Sequence, residues 1–134
     1  MGDLIDCSLR PSFREAISRA ERQVGYRQLL QRSDKLGYMF DMEIVHEMCA
    51  IMAEAYMMDP ADKIRISGEW LEVYIVQQVF GELTDEHVLQ VLDDYNNVTS
   101  EIKNKKAYLR TMLYNVVFCL GASTRNEMLS DPYF

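Results

Sequence analysis

No apolar run in this sequence approaches the roughly 20 residues that cross a bilayer, and no signal peptide opens it. Asp6 stands where a myristoylation signal needs Ser or Thr, which removes a lipid anchor at Gly2. Three cysteines, Cys7, Cys49 and Cys119, form an odd set at wide and unpatterned spacing. They read as free thiols in a reducing cytoplasm, not as a disulfide framework or a zinc site. There is no Gly-x-Ser-x-Gly elbow and no glycine-rich phosphate loop. Only two histidines are present. Glu43-Ile-Val-His46 has the Glu-x-x-His spacing of a di-iron helix, but His87 has no glutamate three residues before it and the second copy is missing. The expectation is a chain with no metal, no cofactor and no catalytic constellation. Overall basicity is lacking too: the net charge is −7, whereas a domain that grips duplex DNA is more often basic.

What is present is ordinary globular composition, 49% hydrophobic and 26% charged, in a length that fits one domain with a sizeable core. The charge is unevenly spread. Residues 39–96 hold thirteen acids against two cations, while the blocks on either side are mildly basic. That distribution favours a protein partner, with nucleic acid second.

The hydrophobic period is that of helices. A lead-in over 1–10 precedes a domain over 11–120, and 121–134 reads as a tail holding at most one helical turn. Pro11 and Ser12 suit a helix start. Phe13, Ile17, Ala20 and Val24 follow at helical spacing until Gly25 interrupts, and Tyr26, Leu29 and Leu30 begin a short second helix. The span from Asp41 to Met58 has a wide apolar arc, which predicts a central helix that Asp59-Pro60 ends. Its five methionines are expected to fill the core; an adaptable peptide groove is the rarer use. Lys63 to Trp70 changes period, alternating Ile64 and Ile66 before Ser67-Gly68, which predicts a β-ribbon or extended arm. Helices over Leu71–Phe80, closed by a left-handed cap at Gly81, and from Thr84 to about Asn96 come next. The expected fold is therefore all-α: five or six helices in a single compact domain, with a short arm near 63–70.

The last helix, capped by Asn104 and expected to end near Phe118, carries Leu109, Met112, Leu113, Val116 and Val117 on one face. Lys103, Lys105, Lys106 and Arg110 back it, with Tyr108 and Tyr114 nearby. Such a cluster is usually a solvated face. Lys103, Lys105, Lys106, Arg110 and Tyr114 are nevertheless the candidate contacts to single-stranded nucleic acid, with tyrosine available to stack a base. Trp70 is either a lid over the core or an anchor for a partner. Asp93 and Asp94 are candidate partner contacts on the acidic side.

Three blocks of sequence resemble a known pattern. They are Ile64-Arg65-Ile66 with Gly68, Leu83-x-x-x-His87-Val88-x-x-Val91-Leu92, and Ile102-x-Asn104-x-x-Ala107-Tyr108-Leu109-x-x-x-Leu113-Tyr114-Asn115. Together, over Glu21 to Asn115, they resemble the C-terminal domain of unknown function in RepA-type replication initiators of plasmids and conjugative elements. A more distant similarity is to the helical C-terminal module of DnaD-type primosome proteins. The resemblance implies an accessory initiator domain, non-enzymatic and cytoplasmic, that docks host replication proteins and touches single-stranded DNA weakly. It would be monomeric or a weak homodimer, and either a stand-alone relative or part of a longer initiator. Two departures stand out: Gln77, Gln78 and Glu82 replace basic residues of the pattern, and Val116-Val117 replace Ala-Pro after Tyr-Asn. The alternative from composition alone is a non-catalytic adaptor of a mobile element unrelated to replication.

Overall fold

The computed structural model describes residues 12–35 and 42–129. The expected lead-in with Cys7, the start signal at Pro11 and the end of the tail (130–134) lie outside the described residues. Six helices and one β-hairpin are described, in the order α1 (Phe13–Gln23), α2 (Tyr26–Lys35), α3 (Met42–Met57), β1 (Lys63–Ile66), β2 (Glu69–Glu72), α4 (Val73–Phe80), α5 (Asp85–Asn96) and α6 (Lys105–Leu129). The mostly helical domain with one small ribbon is the architecture that the periodicity implies.

Helix α1 starts on a capping box. Ser12 Oγ accepts from the Glu15 backbone N–H at 3.2 Å, and the Glu15 carboxylate accepts from the Ser12 N–H at 2.9 Å. Gly25, at φ +68°, breaks the chain between α1 and α2. Helix α3 is central: nine of its sixteen residues are buried, and it packs against all five other described helices. Met48 and Met52 are fully buried and Met57 and Met58 half-buried against the same core, so these methionines fill space. The end of α3 is held from α4, where Gln77 Nε2 donates to the carbonyls of Ala55 and Met58 at 2.9 and 3.1 Å.

Strands β1 and β2 pair antiparallel, with Arg65 opposite Trp70 and Lys63 opposite Glu72. Ile64 and Ile66 are buried, so one face of the ribbon lies on the helices and the other faces water. Ser67 and Gly68 both take positive φ, +54° and +84°, the turn whose twist matches its flanking strands. Serine pays a steric cost there that asparagine largely avoids. Ser67→Asn is therefore expected to stabilise the fold by about 0.5–1 kcal/mol. A rise in urea midpoint at unchanged m-value checks it.

Two expectations are corrected. Gly81 is right-handed, at φ −63° and ψ −14°, so no left-handed cap ends α4. Instead the backbone runs on through a tight turn, with Gly81 N–H donating to the Gln77 carbonyl at 2.9 Å. The last helix does not stop near 118 but continues through Gly121 to Leu129. One glycine in a helix costs about 1 kcal/mol, too little to end it alone, and the next proline comes only at Pro132.

Candidate functional site

Asn104 caps α6 as its position implies, its side-chain oxygen accepting from the Ala107 N–H at 3.0 Å. The basic residues behind that cap do not form a free face. Lys105 Nζ lies 2.9 Å from Glu47 and Lys106 Nζ 2.7 Å from Glu54. Glu47 and Glu54 stand two turns apart on α3 and so share one side of it. The bond to Glu47 holds the Lys105 ammonium above the ordinary lysine value. Two carboxylates of the acidic block are thus paired with two lysines of the basic helix at the surface of the fold. Lys103 is exposed. Arg110 turns instead toward the hairpin, its Nη1 3.5 Å from the Arg65 carbonyl oxygen. Tyr114 is half-buried beside Phe118, ring centroids 5.4 Å apart, and Tyr108 leans on Tyr95 at 6.1 Å. The five candidate nucleic-acid residues therefore do not present one continuous cationic surface.

Trp70 is no lid. Its side chain is 61% exposed, because position 70 falls on the outer face of the ribbon. The register puts Arg65 directly across from it, and the guanidinium sits 5.4 Å from the ring centroid. Such a stack orients both side chains at modest cost in freedom. The hairpin is braced from α6: Thr111 Oγ1 accepts from the Ser67 N–H at 3.2 Å, while Arg110 reaches the Arg65 carbonyl. Tyr74, the second residue of α4, is exposed as well. A large ring and a stacked guanidinium are thus presented on a two-strand ribbon that Arg110 and Thr111 of α6 support. Arg65 was missing from the sequence-based candidates. The two-residue turn at Ser67-Gly68 carries the signal, since it sets 65 against 70. Asp93 and Asp94 lie on α5; Asp94 accepts from Gln90 Nε2 at 3.0 Å. No hydrogen bond or ion pair among the described residues joins them to the Trp70 face.

Both histidines and Cys49 are engaged within the fold, while Cys119 is an exposed free thiol. His46 Nδ1 lies 3.4 Å from Glu21, and its ring meets Tyr26 edge-on at 6.3 Å. His87 Nδ1 accepts from the Thr84 N–H at 3.0 Å, filling the glutamate place of a capping box at the start of α5. Cys49 is buried, and desolvation, with Glu21 adding to it, pushes its thiol up to about 12. A buried thiol held protonated is a poor nucleophile. No three His, Cys, Asp or Glu side chains converge to hold a metal among the described residues. A cleft of about 650 Å³ opens between α1 and α2, lined by Ser18, Glu21, Arg22, Tyr26, Arg27, Gln28 and Leu30. Neither histidine lines it. No described helix is long and apolar enough to cross a membrane.

A family model described as a family of unknown function (DUF6017) matches residues 9–128. No curated protein and no solved structure matches the chain.

Proposed function

The chain belongs to DUF6017, a family of unknown function, and on that footing we propose that it is a non-catalytic protein-docking domain. Its docking face is the outer side of the hairpin, centred on Trp70 and Arg65. The observation that carries this reading is a 61% exposed tryptophan stacked by arginine on a ribbon braced from α6. Tryptophan and arginine are the residues most often found as interface hot spots. A rigid pair loses little entropy on association. The similarity of the three sequence blocks to initiator C-terminal domains supplies the setting: an accessory domain of a plasmid or mobile-element initiator that docks a host replication protein. Single-stranded DNA is not part of this reading, because Lys105 and Lys106 are already bound to α3 carboxylates.

The test is direct binding of the purified chain to purified host replication proteins, with Trp70→Ala as the variant. Binding to one of them is expected, and the variant should weaken it about 30-fold or more. Its melting temperature should stay close to that of the parent, since the ring covers little core. If no replication protein binds, or the variant binds as tightly as the parent, the reading fails.

A further inference from the structure

Charge is balanced in one cross-strand pair of the hairpin and unbalanced in the next. Lys63 faces Glu72, its opposite in charge, whereas Arg65 faces a ring. Arg110 approaches from α6 to 3.5 Å from the Arg65 backbone carbonyl, which brings a second guanidinium to the strand that carries Arg65. Neither arginine makes an ion pair with a carboxylate among the described residues, unlike Lys105 and Lys106 a turn away. Glu69 precedes Trp70 in β2 but pairs with buried Ile66, so it belongs to the opposite face of the ribbon. Two guanidiniums on neighbouring elements, each without a carboxylate, can both be met by one carboxylate placed between them.

We infer that the Trp70 face takes an acidic segment of the partner protein, with a carboxylate seated between Arg65 and Arg110 and an apolar or aromatic side chain against the uncovered side of the Trp70 ring. This rests on the docking reading above and adds the chemistry of what docks. The guanidinium fork matches a carboxylate in shape as well as charge. Nucleic acid is the rival anion. Its phosphates continue past the two arginines and meet Glu72 and the rest of an acidic surface. A short peptide engages only the groups it touches, because charges more than about 8 Å away are screened at physiological salt.

The chain has a single tryptophan, so its fluorescence reads this site alone. Three probes are titrated against the full chain: the peptide Gly-Asp-Glu-Phe-Asp-Leu-Gly, the same peptide with lysine for each acid, and a short oligothymidylate. The acidic peptide is expected to shift the emission saturably, and the lysine peptide to leave it unchanged. Arg65→Glu and Arg110→Glu should each weaken the acidic peptide at least about tenfold. The two changes together should transfer binding to the lysine peptide, an outcome that misfolding cannot mimic. Equal binding of both peptides, no shift with the acidic one, or binding of the oligothymidylate in its place overturns the inference. Its failure is separable from that of the docking reading. Loss of replication-protein binding in Trp70→Ala, with the acidic peptide inert, leaves docking standing and removes only the acid preference.

Discussion

Phe80→Ala is expected to lower stability by about 3–5 kcal/mol, against a total of about 5–15 kcal/mol for a domain of this kind. Phe80 is the largest of the fully buried side chains at the end of α4. That helix has eight residues, too few to persist on its own propensity, so packing holds it in place. Val73, Val76, Val79 and Phe80 supply that packing. Removing the ring leaves a cavity in the core that also contains Leu83, Val88 and Met52. The walls of such a cavity collapse only in part. Thermal unfolding followed by circular dichroism should show a fall of about 10–20 °C. Phe80→Leu fills most of the space and should cost less than half as much. A fall below about 1 kcal/mol for the alanine variant would mean that α4 does not depend on the ring.

The parts of the fold that depend on neighbours in sequence were legible in it. The wide apolar arc of α3, the alternation of Ile64 and Ile66, the Ser67-Gly68 turn and the Asn104 cap all act within a few residues, and each lies where its pattern puts it. What was not legible is what a distant partner decides. Lys105 and Glu47 are 58 residues apart, so nothing local distinguishes a lysine awaiting a phosphate from one already paired within the fold. Of the two readings of Trp70, the lid fails for a different reason. Its size suggests burial, but strand alternation from Ile64 and Ile66, carried across the turn, puts Leu71 inward and Trp70 outward. That inference needs only the register. Gly81 shows the limit of residue type as a guide: glycine permits a left-handed cap without requiring one.

Gln23→Met is the sharper test of how α1 is joined to the rest, because methionine keeps the length of glutamine and removes its polar atoms. Gln23 Nε2 donates to the carbonyls of Phe80 and Leu83 at 2.7 and 2.9 Å, across 57 and 60 residues. Its Oε1 accepts from the Tyr56 hydroxyl at 2.7 Å. One amide therefore ties α1 to α3 and to the turn between α4 and α5. Burial raises the Tyr56 hydroxyl above its ordinary value, which keeps it a donor. The Arg19 guanidinium covers the same ring at 4.2 Å, so water has little room to replace the lost acceptor. The Phe80 carbonyl keeps a second donor, the Leu83 N–H at 3.1 Å, which limits the loss on that side. With the Tyr56 hydroxyl and the Leu83 carbonyl stranded, the substitution should cost about 2–4 kcal/mol in urea unfolding. Tyr56→Phe alone should cost about 1 kcal/mol. In the methionine background it should cost nearly nothing, since the partner of the hydroxyl is already gone. That makes the pair strongly non-additive. Additivity within about 0.3 kcal/mol would show that the three elements are joined by packing and not by the amide.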